Sequence, residues 1–410
     1  MYPRQTTCRI AEAWADTPVV VLHGPRQAGK TTLVRQFAAE QAATYVTLDD
    51  LVPRRAAVQD PEAFLAGLGE AAVIDEVQLA PELFRAIKAN VDRDRRPGRF
   101  LLTGSADLAL LPAIAESLAG RVERHILWPL SEAEIQGVFG DPIARLFAAA
   151  PPLADCSLVR HDYLELSVRG GFPEAVERSS PRRRGRWFES YLATMIERDL
   201  RQLANIHGLL ELPRLLRGFA ERAAGLLNYA DLSRDVGLER TTLTRYLDLL
   251  ELAFLIDRLP AWHRNASKRL RRSPKGLFVD SGLLAHLLDA GEAASPAAER
   301  KAGQLLENFA VMEIRKLLAA SEVTARGYHY RTDDGAEVDL VLERPGGSLL
   351  GIEIKSAAAV ADRDFRGLRS LQEAAGTDFC GGVVLHTGRQ AAAFGERLWA
   401  LPLGNLWSAG

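Results

Sequence analysis

Two groups of residues in this chain have types and spacings that could do chemistry, and they lie far apart. The first is the run VVVLHGPRQAGKT at positions 19–31. From Gly24 to Thr31 it fits G-x-x-x-x-G-K-[ST] at every fixed position, after a strand-like stretch and before the helical pattern TLVRQFAAE. Glycines there let the backbone wrap a phosphate chain with its N–H groups pointing inward. Gly24, Pro25, Arg26, Gln27, Ala28, Gly29, Lys30, Thr31 and Thr32 form the expected nucleotide contact. Lys30 would reach the β- and γ-phosphates, and Thr31 would bind Mg²⁺. The second group is Asp339, in EVDLVLE, with Glu353 and Lys355, in LLGIEIKS. Strand side chains alternate, so Glu353 and Lys355 share one face. Glu307 falls on a helical stripe with Val311, Ile314 and Leu318, where an unpaired carboxylate is costly to bury. These acids and one lysine can converge.

The elements around the phosphate loop read as a parallel α/β sheet. AAVIDEVQ is an apolar strand ending in Asp75 and Glu76, an acidic pair expected beside the loop. Asp75 would hold Mg²⁺ through its water shell, and Glu76 would polarise the attacking water. RFLLTGSADL ends in the hydroxyls of Thr103 and Ser105, of which Ser105 is the expected sensor of the γ-phosphate. Arg121 follows a glycine in a helix-to-strand turn, a position from which arginines reach a neighbouring subunit's γ-phosphate. That role would require a homo-oligomer.

Composition bounds the rest. At 410 residues the chain is too long for one core. A net charge of −2 gives no global pull toward nucleic acid or membrane. No apolar window approaches a membrane span, and MYPRQTTCRI lacks an apolar signal core. Cys8, Cys156 and Cys380 are far apart and imply neither zinc nor disulfides. The expectation is a cytoplasmic protein. Lysine is scarce, seven residues against 44 arginines, and two of the seven are Lys30 and Lys355.

The pieces GPRQAGKTT, VIDEVQ, LLTGS and LAGRVERHILWPLSEAE resemble the AAA-type ATPases that bacteria and archaea carry fused to a domain of unknown function, DUF4143. GGFPEAV, WFESYLATMIERDLRQLANI, SPKGLFVDSGLLAHLL and GQLLENFAVMEI extend the resemblance over nearly the whole chain. It implies an ATP-binding, ATP-hydrolysing domain over 1–150, followed by a helical region over 151–227. There the basic run PRRRGR (181–186) reads as a solvated connector. Residues 228–290 read as a winged helix–turn–helix: two helices around a Gly turn, then a strand pair. Thr241, Thr242, Thr244 and Arg245 begin its second helix. The wing tip WHRNASKRLRRSPK brings Arg264, Lys268, Arg269, Arg271, Arg272 and Lys275. These residues are expected to contact nucleic acid, DNA rather than RNA, although such modules also serve in protein docking.

Residues 291–410 have the αβββαβ order of the PD-(D/E)XK nuclease-like fold. That resemblance implies that Asp339 and Glu353 ligate a second divalent ion, Mg²⁺ or Mn²⁺, that Glu307 assists, and that Lys355 activates water or stabilises charge. One departure is Gly376 where many relatives carry a tyrosine four residues after Gln372. The expected fold is therefore α/β: a P-loop AAA-type ATPase, a helical and winged-helix middle, and a nuclease-like end. Three functions fit it: ATP-driven nucleic-acid processing, an ATP-dependent switch whose nuclease-like domain does not cut, and a protein remodeller. Intact Asp339, Glu353 and Lys355 favour the first.

Overall fold

The computed structural model of the protein describes residues 2–104, 118, 120–200, 211–265, 269 and 272–408, with the backbone alone at 198 and 199. Of the expected site residues, Ser105, Lys268 and Arg271 lie outside this set. The chain forms two compact units, Met1–Leu130 with Leu252–Phe254, and Ser131–Glu251 with Leu255–Gly410. Among the described residues no helix is long and apolar enough to cross a membrane.

The first unit is built on five parallel strands: β1 (Val19–His23), β2 (Thr44–Thr47), β3 (Ala72–Asp75), β4 (Phe100–Gly104) and β5 (Val122–Ile126). Their order is β2-β3-β4-β1-β5. Every residue of β1, β3 and β4 is buried, as strands covered on both faces must be. Alternation divides them between two cores. Val20 and Leu22 pack with Ile10, Leu33, Val34 and Phe37 on one face. Val19 and Val21 pack with Ile74, Leu83, Phe84 and Ile87 on the other. The strands run in step, with His23 opposite both Gly104 and Ile126, so the residues just beyond them gather at one edge.

In the second unit the helix Pro181–Thr194 begins at the basic run expected to be a connector, and it continues as a π-helical turn, Met195–Leu200. Phe188, Tyr191 and Leu192 bury its apolar stripe, which is why the arginines of its first turns are helical rather than loose. Helices Tyr229–Val236 and Arg240–Leu252 follow, separated by Gly237 in a left-handed conformation. An antiparallel pair comes next, β6 (Ile256–Leu259) and β7 (Lys275–Phe278).

After the helix Ala302–Ala320 comes a six-stranded sheet: β8 (Arg326–Arg331), β9 (Glu337–Glu343), β10 (Leu349–Lys355), β11 (Phe379–His386), β12 (Ala392–Gly395) and β13 (Leu398–Pro402). Its order is β12-β13-β11-β10-β9-β8. Strands β8, β9 and β10 form an antiparallel meander, and β11 returns parallel to β10 through the helix Arg366–Ala375. Leu368 and Leu371 seat that helix in the core with Val338 and Val384.

Gly367 lets the helix lie against the backbone of β9, because a Cβ there would come within 1.7 Å of the Glu337 carbonyl oxygen. Gly367→Ala is expected to push the helix off β9 and destabilise the second unit by about 1–3 kcal/mol, the usual scale for overpacking. Chemical denaturation would read this, and an unchanged midpoint would show that the helix shifts freely.

Candidate functional site

The first site lies at the carboxyl edge of the parallel sheet. The loop after β1 opens with Gly24 at φ +147°, where a Cβ would come within 2.3 Å of the Leu127 carbonyl oxygen, so no larger residue fits. Gln27 (φ 60°) and Gly29 (φ 96°) complete the turn into the helix Lys30–Glu40. Arg4 clamps it from outside, donating to the carbonyls of Ala28 and Trp128 at 2.6 Å each. The Lys30 ammonium is buried and donates at 2.8 Å to both the Gly24 and Pro25 carbonyls. The loop thus keeps its curl through Lys30, the lysine expected to meet phosphate.

Asp75, buried at the end of β3, collects hydroxyls from three elements. Thr31 Oγ1 donates to its Oδ2 at 2.8 Å, Tyr45 OH to the same oxygen at 3.0 Å, and Thr103 Oγ1 to Oδ1. Thr103 also accepts from the Glu76 backbone N–H at 3.1 Å. Glu76 itself sits in the left-handed region (φ 58°, ψ 44°), uncommon for a residue with a side chain, and its carboxylate accepts from Gln78. The sheet order explains the arrangement. β4 lies between β1 and β3, so the acidic pair is not next to the phosphate-loop strand and Thr103 bridges the gap.

Thr103, named beside Ser105 as a candidate hydroxyl, takes this bridging place, while Ser105 lies outside the described residues and Tyr45 carried no signal in the sequence. Burial raises the Tyr45 phenol, while the Arg35 guanidinium stacked 4.9 Å over its ring opposes that. Arg121 is held within the chain, its Nε 2.7 Å from Asp92 Oδ1.

A second constellation lies in the other unit. As expected, Glu307, Asp339, Glu353 and Lys355 converge, but a residue read as a wing-tip contact joins them. Lys275, on β7 and only 1% exposed, places its ammonium 2.5 Å from Glu307 Oε1, 2.7 Å from Asp339 Oδ1 and 3.2 Å from Glu337 Oε1. It is a buried counter-ion, not a surface cation. Burial opposes its charge, yet Asp339, Glu307 and Glu337 outweigh that and hold the ammonium above its ordinary range.

The other oxygen of Asp339 accepts from the Ile354 backbone at 2.8 Å. Lys355 donates to Glu353 at 2.6 Å, while Glu353 Oε2 is buried with no partner among the described residues. Burial, then the charge of Asp339, raises Glu353 to about 8 against the opposing pull of Lys355, and Glu307 is raised for the same first two reasons. The expected second divalent ion does not fit this geometry. Among the described residues no three acidic, histidine or cysteine side chains are arranged to hold a metal, and here the Lys275 ammonium stands among the carboxylates.

Two further cations of the basic segment between β6 and β7 also have partners within the chain. Arg269 makes a two-pronged ion pair with Glu343 at 2.6 and 2.7 Å and lies over the rings of Tyr328 and Trp262. Arg272 donates to the Arg331 carbonyl and approaches Asp333 at 3.4 Å. Arg264 is exposed, as are Thr241, Thr244 and Arg245, while Thr242 is half-buried.

A five-stranded parallel sheet in this order, with a glycine-bounded phosphate loop and an acidic pair at its edge, defines an AAA-type ATP hydrolase. Residues 16–136 match the AAA domain family, and residues 302–406 match the domain of unknown function DUF4143. Residues 160–294 match a further domain of unknown function, DUF8612. Uncharacterized proteins of Mycobacterium tuberculosis and Mycobacterium bovis are each 35% identical over 353 residues, which covers 86% of this chain and 73% of theirs. Among solved structures the chain is similar to the Walker-type ATPase of Pyrococcus abyssi, at 15% identity and a TM-score of 0.46 over 70% of this chain and 96% of that one. The chain belongs to the family of the mycobacterial proteins, with an AAA domain joined to a DUF4143 domain.

Two substitutions separate the roles at the first site. Glu76→Gln is expected to bind nucleotide while hydrolysis falls at least ~10²-fold, the scale of a lost general base. Thr103→Val keeps the volume but removes the bridge between Asp75 and Glu76. It should slow hydrolysis at least ~10-fold with nucleotide affinity little changed, a loss confined to the transition state. A fluorescent-nucleotide titration beside a phosphate-release assay checks both, and full turnover by Thr103→Val would remove Thr103 from the mechanism.

Proposed function

We propose that ATP hydrolysis in the first unit is Mg²⁺-dependent and drives a switch whose DUF4143 domain is nuclease-like in topology but does not cut. At the first site the donor set fits the metal: Thr31 Oγ1 and Asp75 Oδ2, two hard oxygens 2.8 Å apart, lie at the foot of the phosphate loop. When bound, Mg²⁺ neutralises charge on the β- and γ-phosphates. Lys30 exchanges its two carbonyl contacts for phosphate oxygens. Glu76 takes the proton of the attacking water, and Thr103 fixes the backbone that aims it.

For the DUF4143 domain, the antiparallel β8–β9–β10 meander, the crossing helix and the parallel β11 favour the PD-(D/E)XK reading. The Lys275 ammonium among Glu307, Glu337 and Asp339 carries the non-cutting reading. It supplies from within the chain the positive charge that a nuclease takes from a metal. The helices Tyr229–Val236 and Arg240–Leu252 with β6 and β7 fit a winged helix whose wing docks on the six-stranded sheet through Arg269 and Glu343. A second reading, ATP-coupled nucleic-acid processing, is favoured by Glu353 and Lys355 lying beside Asp339 as a cutting centre would need.

Lys275→Ala distinguishes the two. Removing one partner of a buried ion cluster costs about 3–5 kcal/mol, so the variant should melt well below the parent in chelator. Mg²⁺ or Mn²⁺ should restore part of that loss, because a bound cation replaces the missing charge. The nucleotide-free parent should melt alike with and without metal, and leave a panel of DNA and RNA forms intact with Mn²⁺ and ATP. Cleavage by the parent that disappears in Asp339→Ala would establish the second reading instead.

A further inference from the structure

Arg269 and Arg272 of the wing are engaged inside the molecule, but another row of arginines is not. On the helix Pro181–Thr194, Arg182, Arg183 and Arg186 are exposed and, among the described residues, make no ion pair or side-chain hydrogen bond. With Ser180, Trp187 and Ser190 they line a cleft of roughly 500 Å³. Spacings of one, four, five and eight residues from Arg182 put them along a single stripe, opposite the buried Phe188 and Leu192. Arg178 also reaches the cleft, but it is paired with Glu174 at 2.7 Å. Ser180 stands at the N-cap without making a capping bond, so the first amides of the helix keep their partial positive charge for a ligand. Trp187 stacks on Tyr191, with ring centroids 5.3 Å apart and planes at 13°, which presents a rigid aromatic wall.

We infer that this stripe binds the sugar–phosphate backbone of a single-stranded nucleic acid. Three unpaired guanidiniums suit phosphate oxygens, which they meet two-pronged. The eight-residue span from Arg182 to Ser190 rises about 12 Å, enough to follow successive phosphates of a strand. Trp187 gives a base a surface on which to stack without reading its identity. A lone phosphate would use one end of this stripe, and an acidic peptide would leave the ring idle. The inference holds whether or not the DUF4143 domain cuts.

The test is fluorescence anisotropy on the full chain with a labelled oligothymidine of about 20 nucleotides, over a range of salt. The parent should bind at low salt. Arg182→Gln/Arg183→Gln/Arg186→Gln should weaken binding at least ~10-fold and lower the log–log salt slope by about 2 units, as three lost contacts to a single strand require. All three residues are exposed, so its melting and ATP turnover should match the parent. Three results would each overturn the inference: no binding by the parent, a triple variant with the parent's affinity and slope, or displacement by poly-aspartate as effective as by an oligonucleotide of equal charge. The last would make the stripe a surface for acidic protein segments.

Discussion

A buried charge must be met by charge, and in the second unit that requirement is discharged at one atom. The Lys275 nitrogen holds together the helix Ala302–Ala320, through Glu307, and β9, through Glu337 and Asp339. Without a cation among them, three carboxylates this close would repel and could not all ionise in a dry site. The short β6–β7 pair therefore does more than decorate the fold. It delivers the counter-ion that allows the acidic face of the mixed sheet to be buried, and the neighbouring Arg269–Glu343 pair anchors the same segment.

The ATPase site solves a related problem with hydroxyls. Asp75 is as deeply buried as Lys275, yet its partners are Thr31, Tyr45 and Thr103, which are neutral donors. In the proposed reading, that difference separates a site that takes a cation from one already satisfied. The first needs an uncancelled charge held in fixed geometry, which a ring of hydroxyls provides and an ammonium would destroy.

Local motifs were readable because their chemistry is local. Gly24 to Thr31 must bend in one way to cradle phosphate, and alternation on β10 alone sets Glu353 and Lys355 on one face. The insertion of β4 between β1 and β3 was not readable, since parallel strands pair through crossovers whose order leaves no trace in a single strand. The bridging place of Thr103 follows from that order. Lys275 was misread because a lysine within SPKGLF looks like the end of a basic run; only the tertiary approach of Glu307 and β9 shows that it points inward. The run at 181–186 was misread in the opposite sense. Its charge suggested a connector, whereas the stripe of Phe188, Tyr191 and Leu192 behind it carries the helix back through the arginines.

The Lys30 contacts to the Gly24 and Pro25 carbonyls bear on how nucleotide comes and goes. An entering triphosphate gains the lysine only by displacing two hydrogen bonds, so the affinity is the difference between two well-made states rather than the full strength of one. When the product leaves, the same carbonyls recapture the ammonium and the loop does not collapse. If Lys30 meets the phosphates as proposed, these two carbonyls give the ammonium a place to return to, and the empty loop keeps the shape that the next nucleotide needs.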